Sequence, residues 1–578
     1  MMNQRLLVFL LFLLAAPMVA TAQDGQAADN SLLPEINPQD IEIRSEFQAR
    51  FPGLRRQPIL GFNPKPRVYQ IDPNRMPFLE TREEAVADIS ITQLGRPEPP
   101  ARYFLSIPAR TNAYLRAGFG SYLTPEVNGY GFFEPNEKSI FSANLNYRGS
   151  DGHLPDQKSG FHFLDLNTQY HQQTNDKWSF SFNAGAFSDQ LYMYDLAGTN
   201  GVPEKVNQGA SAEVIIRKSN NAFNGMEFTL GGSLFDADLK ISPPGAGAGN
   251  VAENMYYSSI SYYWPGKRMY ETFDITAEIS GAHYNTNIFK NTFGNGPSGA
   301  GRDWIDSQLS VTYELLLNLQ TRIKGKVGVA YANDPISETF YFAPDIEIKH
   351  NLNEALSVSG NIYAKPVRTT FQDHQQYNPF IRSFNQLLRS YNVDVNAEVN
   401  YQLIEGNRIF GGMGYQSIDN YSYYQRVRAF HPINDPYDYY RIVYEDANIF
   451  EIYGGASHQL VPSKFWADAK VYVRSPKLKG GGTIPYEEKL GLEAAVHFKP
   501  IQDLKISGWG EYIGKRESPE TNSDLGAFLL LNFGTEYQIN DTFGVYAKLL
   551  NIMDQQYEIW NGYTERPFQI FGGLTVKF

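Results

Sequence analysis

Residues 391–403, YNVDVNAEVNYQL, alternate without a break between two kinds of side chain. Val393, Val395, Ala397, Val399 and Tyr401 fall on one face; Asn392, Asp394, Asn396, Glu398 and Asn400 fall on the other. A period of two belongs to a β-strand with one apolar face. The length of the run is what constrains the fold. Strands of soluble sheets usually stop after about five or six residues, whereas a tilted strand needs about ten to cross a bilayer. The pattern also returns along the chain. In 322–331, Ile323, Val327, Val329 and Tyr331 oppose Arg322, Lys324 and Lys326, and in 464–474, Phe465, Ala467, Ala469, Val471 and Val473 oppose Lys464, Trp466, Asp468, Lys470, Tyr472 and Arg474. Residues 272–281, 356–365, 489–498 and 504–512 repeat it. An open sheet this large would leave unpaired edges that hydrocarbon cannot satisfy, and a closed barrel removes them. The expected fold class is therefore all-β: a transmembrane antiparallel β-barrel, apolar face to lipid and charged face to a wet lumen. A soluble propeller is the competing architecture, and no blade-length repeat supports it.

Composition agrees. The chain of 578 residues carries 38 Tyr and 38 Phe, yet its mean hydropathy is −0.40, as expected when apolar surface is spread thinly over many alternating strands. The start, MMNQRLLVFLLFLLAAPMVATAQDG, reads as a secretory signal over 1–22: Arg5, the apolar run Leu6–Leu14, and Ala20-Thr21-Ala22 before Gln23. No other segment approaches about 18 uninterrupted apolar residues, so no helical span is expected. The absence of Cys excludes a disulfide framework, a Cys-ligated zinc and a thiol nucleophile. A net charge of −12 argues against nucleic acid as a partner.

The connections alternate between short and long. Short ones fall at 173–177, 219–224, 264–267, 316–319, 351–354, 404–407, 461–464, 499–503 and 539–542, and long polar or aromatic ones at 236–251, 286–302, 366–388 and 423–446. Transmembrane barrels have short periplasmic turns and long external loops. Counting between turns gives about 20 strands from 137 to 578 plus 111–122, and a weaker first strand near 86–94 brings the number to about 22, an even count as barrels of this class have, with 20 as the alternative count. The domains expected are the signal (1–22), a Pro/Arg-rich N-terminal arm in the lumen or periplasm (23–85, with EFQARF or TREEAVAD as its one short element) and the barrel (86–578).

The last residues, TERPFQIFGGLTVKF, put Phe568, Ile570, Leu574, Val576 and Phe578 on one face, toward lipid, with Lys577 turned inward. From Asp541 the chain reads DTFGVYAKLLNIMDQQYEIWNGYTERPFQIFGGLTVKF, which resembles the closing segment of TonB-dependent receptors. Asn551, Asp554 and Tyr557 match that family's turn, Gly562 and Tyr563 its loop, Arg566 and Pro567 its step, and Phe578 its terminus. The resemblance implies a receptor or transport barrel of Bacteroidota type in the bacterial outer membrane, passing or binding a bulky solute. It also makes the final strand, with Phe568, Ile570, Leu574, Val576 and Phe578, the signal read during assembly. The family fills its barrel with a globular plug preceded by an energy-coupling box. Residues 23–85 carry neither pattern, so the energy-coupling partner is left open. The pore then needs closing by the arm, by infolded loops or by a partner protein, and Arg55, Arg56, Arg67 and Arg75 of the arm suit lumen carboxylates such as Asp394, Glu398 and Glu493. The alternative is a non-transporting barrel subunit of an envelope export or assembly complex.

Chemistry-bearing motifs are sparse. Nine His are scattered singly, no nucleophile elbow, zincin or phosphate loop is present, and lumen carboxylates are expected in any such barrel. The sequence gives no reason to expect an enzyme, a metal site or a cofactor. The unusual stretch is YSYYQRVRAFHPINDPYDYYRIVY (421–444). Tyr423, Tyr424, Arg426, Arg428, Tyr437, Tyr439 and Tyr440 form a candidate ligand-facing loop, since aromatics with Arg suit sugars or anionic groups. The plainer reading is the outer aromatic girdle of the barrel.

Overall fold

The computed structural model describes residues 112–578, less 195–201, 241–249, 288–301, 334–339, 382–386, 428–438, 520–522 and a few one- or two-residue breaks in turns. The arm and the candidate strand near 86–94 lie outside the described residues. Each long alternating run forms a strand: 391–403 lies within Arg389–Ile404, 322–331 within Thr321–Ala332 and 464–474 within Phe465–Leu478 apart from its first residue. Twenty-two strands join in one antiparallel sheet. The first, Ala113–Gly120, pairs with Thr124–Asn136 and also with the last, Gln569–Lys577, so the sheet closes on itself. The number 22 is therefore reached without 86–94. The strand missing from the sequence count is Thr124–Asn136, whose TPEVNGYGFFEPN breaks alternation with Gly and Pro.

Side-chain direction follows the alternation. Val327, Val329, Leu309, Val395, Val399, Val471 and Val473 are exposed on the outside, as are Ile570, Leu574 and Phe578 of the last strand, while Gln569, Phe571 and Thr575 between them are buried. Inside, carboxylates and bases meet across strands: Glu398 takes Arg408 at 3.1 Å and the Tyr453 hydroxyl at 2.8 Å. Asp394 accepts from Gln416 at 2.6 Å. The tight turns and the closing Phe578 share one end of the barrel. There an outward row of rings, Tyr262, Trp264, Phe273 and Tyr313, packs at 5.5, 5.6 and 4.8 Å between centroids, an aromatic band on the outside of that rim.

Closure is one of the shorter junctions in the wall. Seven register pairs join first strand to last, against seventeen between Glu204–Asn221 and Asn224–Lys240. An inner latch reinforces it. The Glu126 carboxylate receives Lys548 Nζ at 2.7 Å and the Tyr546 hydroxyl at 2.6 Å, with Arg116 Nε at 4.0 Å. Arg116 also lies 3.6 Å above the Tyr546 ring. That ring covers the register pair Gly118↔Gly573, where a Cβ on Gly118 would run into the tyrosine hydroxyl. Glycine is required at this crossing because the ring and the neighbouring backbone occupy the space of a side chain.

Candidate functional site

At the loop end, the connection following Leu356–Arg368 turns into the barrel instead of away from it. Its anchor is an ion pair, Arg368 to Asp306, at 2.8 and 2.9 Å in fork geometry. Thr370 then starts a short helix, Phe371–Tyr377. The Thr370 hydroxyl accepts from Asp373 N at 3.1 Å, and the Asp373 carboxylate accepts from Thr370 N at 3.0 Å. This reciprocal cap satisfies two of the donors that a helix start leaves open. Two more, the N–H groups of Phe371 and Gln372, donate to Glu253 on the wall at 2.8 and 3.3 Å. Phe371 is fully buried among Phe235, Ala237, Val251, Ala282, Tyr284 and Trp304, which come from the inner faces of four successive strands. Beyond the helix, Lys205 Nζ donates to Pro379 O at 2.6 Å, to Ile381 O at 2.7 Å and to the Gln375 side-chain oxygen.

The other flank is held by aromatics. His374, fully buried, lies 2.8 Å from the Tyr424 hydroxyl through Nδ1. Burial pushes its imidazole down to about 3, so it is neutral at ordinary pH. Trp560, from the connection before the last strand, is ringed edge-on by Tyr377, Tyr424 and Tyr440 at 5.5 Å each and tilted against Tyr486 at 5.0 Å. Phe380 stacks on Tyr563. The carbonyl of Asn561 accepts from the Tyr440 hydroxyl at 2.9 Å and from Arg426 at 3.2 Å. Three connections and the ends of two strands thus meet in one packed aromatic cap.

This arrangement corrects the girdle reading of 421–444. Much of that stretch is strand, the end of Asn407–Val427 and the start of Tyr439–Val461. A bulge between Ile418 and Tyr421, with Asn420 at φ 56°, breaks the alternation. A bulge re-aims the residues beyond it; Tyr421 and Tyr424, three apart and so on opposite faces of the strand, are both buried, as is Tyr440 on the partner strand. Tyr423 is half-buried, 3.5 Å from Glu445, and Tyr439 pairs in register with Val427. Arg428 and Tyr437 lie outside the described residues. The outward row of rings, Tyr262, Trp264, Phe273 and Tyr313, is on other strands, at the tight-turn end.

The closing motif acquires physical roles. Asn551, in the left-handed region at φ 49°, donates from its side chain to Gln555 O at 2.9 Å and to Arg566 O at 3.3 Å. Asp554 accepts the Phe568 N–H at 2.9 Å, setting the start of the last strand. Tyr557 is buried against Phe528 at 4.4 Å. The motif builds the connection that carries Trp560 and Tyr563 into the cap.

Sequence reading missed the helix and its two wall anchors, Glu253 and Lys205. The one available signal was TFQD at 370–373, a residue pattern suited to a reciprocal N-cap.

No family model matches the sequence, and no curated protein does. Solved structures do. The barrel superposes on the FrpB iron transporter of Neisseria meningitidis with a TM-score of 0.64 at 10% identity, covering 82% of each chain. It superposes on the copper transporter OprC with 0.62 at 10% identity, covering 82% of this chain and 81% of that one, and on a variant of the ferric enterobactin receptor of Pseudomonas aeruginosa with 0.61 at 11% identity, covering 81% and 80%.

The fold is that of the TonB-dependent receptor barrel.

All three similar structures are receptors or transporters. At 10–11% identity the likeness is one of fold.

Proposed function

We propose that this protein is an outer-membrane receptor for a bulky solute whose pore is closed at the mouth by its own infolded connection, residues 369–381. The observation that carries this reading is the three-point fixation of that connection: to Glu253 and Lys205 on one flank of the wall and, through His374, to Tyr424 on the other. An exposed loop has no need of buried anchors on separate strands; a barrier across a wide lumen does. The aromatic cap presents the solute with a surface continuous with that barrier.

Planar-bilayer conductance of the purified protein tests this directly. The full chain is expected to be closed, and deletion of 369–381 to give a large, stable conductance. Deletion of 23–85 alone is expected to leave the mouth shut. A closed barrel after both deletions together would overturn the reading and favour a non-transporting subunit.

A further inference from the structure

On the outside of the barrel, near the tight-turn end, the layer of side chains thins out over three neighbouring strands. In register, Ala113 faces Gly131 and Gly131 faces Ala143; in the adjacent outward row, Leu115 faces Gly129 and Gly129 faces Leu145. Together with Phe578 these residues line an open groove of about 280 Å³. Tyr114 and Tyr130, which also border it, pair with each other on the lumen side of the alternation. Leu115 and Phe578 are exposed, as are Phe133, Phe141 and Leu574 on the same outward face. The groove is thus continuous with the lipid-facing band, and its outward side chains are all apolar.

The described chain does not require glycine at either position. Neither Gly129 nor Gly131 takes a positive φ. A Cβ on Gly131 would meet no atom within 4 Å, and one on Gly129 would meet Leu115 Cδ1 at 3.6 Å and Leu145 Cβ at 3.8 Å, ordinary contacts. Glycine weakens a strand interior, and where it persists it often marks the close approach of another group. At Gly118 that group is the Tyr546 ring. At Gly129 and Gly131 no described residue supplies it.

The dimensions select the occupant. Leu115 and Leu145 stand two strand spacings apart, about 9.5 Å. An α-helix, about 10–12 Å across with its side chains, does not fit between them. An extended peptide would bring unpaired N–H and C=O groups into hydrocarbon. A single polymethylene chain over Gly129 would lie about 4.8 Å from each leucine column, close to van der Waals contact. Depth agrees. Gly131 is five residues from Asn136 in the turn, about 12 Å below the rim for a strand tilted about 45°, within one leaflet of a core about 30 Å thick. The turn itself carries Glu137 and Lys138, both exposed, at headgroup level.

We propose that this groove binds one acyl chain of a phospholipid in the leaflet nearer the tight turns, seated beside the seam where the barrel closes. A chain already in hydrocarbon gains little from the hydrophobic effect, so packing holds it. The site rests on the membrane placement in the reading above and not on transport.

The test reconstitutes the full-length protein in vesicles of phosphatidylethanolamine and phosphatidylglycerol, the former carrying a photoreactive diazirine midway along one acyl chain. After illumination, adducts mapped by peptide mass spectrometry are expected to concentrate at 113–115, 129–131 and 143–145. They should be sparse at Leu309, Val311, Val327 and Val329, which are exposed in the same band. Gly131→Leu fills the groove and should abolish the enrichment while heat-modifiable migration is kept; if that variant does not fold, Ala143→Leu makes the same comparison. Adducts spread evenly around the wall, or enrichment that survives filling, overturn the site. So does a disulfide-linked dimer of Gly131→Cys in the vesicles, which would put a second copy in the groove; the chain has no other cysteine. Even labelling removes the groove and leaves the membrane reading standing, whereas a protein that takes no adduct anywhere removes both.

Discussion

The wall and the mouth of this barrel are built by different rules. In the wall, each strand contacts its neighbours in the chain, side chains alternate between lipid and lumen, and most inner groups are half-buried and polar. At the mouth, Tyr424, Tyr440, Tyr486 and Trp560 meet in a close-packed, largely aromatic cluster, and Lys205, Glu253 and His374 tie the infolded connection in beside it. The wall is specified locally and repetitively. The mouth is specified by long-range contacts that no period announces. The wall should therefore tolerate single changes that the mouth does not, and the mouth should open while the wall stays intact.

The largest test of that contrast is the deletion of 369–381, expected to convert a closed protein into a conducting one without loss of heat-modifiable barrel migration. Loss of the barrel together with closure would show that the two regions are one cooperative unit. Next come substitutions of about 3–5 kcal/mol on each side. Trp560→Ala removes the ring around which the cap packs, and hydrogen exchange should quicken in 370–381 and 557–564 while the wall strands stay protected. Glu126→Ala leaves Lys548 and Arg116 buried without their carboxylate, again about 3–5 kcal/mol. Here exchange should quicken in the first and last strands and the mouth should remain closed. Equal responses to both would remove the distinction.

A smaller effect is expected from pH. His374 binds no proton in the folded cap until about pH 3, whereas free imidazole takes one below about 6.5. The unfolded cap thus holds more protons between those values, and stability falls as pH drops through that window, by about 2–3 kcal/mol at pH 4.5. Exchange in the helix should accelerate on acidification, and His374→Gln should flatten the dependence; a profile identical in the variant would exclude His374 as its source. The smallest change is Lys205→Met, which strands the carbonyls of Pro379 and Ile381 at a cost of about 1–3 kcal/mol. A rise in brief channel openings without steady conductance is the expected record.

The same contrast explains what could be read from residues alone. Val393 to Tyr401 announce their strand because lipid on one side and water on the other impose a period of two. Thr124–Asn136 escaped because Gly129, Gly131 and Pro135 carry no such mark, and only its pairing with Ala113–Gly120 reveals it. The aromatic stretch 421–444 was legible as unusual, but its direction was not: Asn420 shifts the phase of the strand by one residue, and nothing local tells a girdle tyrosine from a buried one. Glu253 and Lys205 looked like any other inner-wall charges. Their importance comes from a helix more than a hundred residues away in the chain.

The closure has a kinetic consequence. Its contacts span nearly the whole described chain: Ser121 and Ile570 are 449 residues apart, and Phe578 O receives the N–H of Asn112. Contacts of such separation are among the last that a growing sheet can make. Until Gln569–Lys577 arrives, Ala113–Gly120 presents an unpaired edge, and a chain halted before that strand keeps it permanently, open to pairing with another copy. Quality control that recognises such an edge could therefore reject an unfinished barrel from its first strand alone, before anything at the mouth has formed.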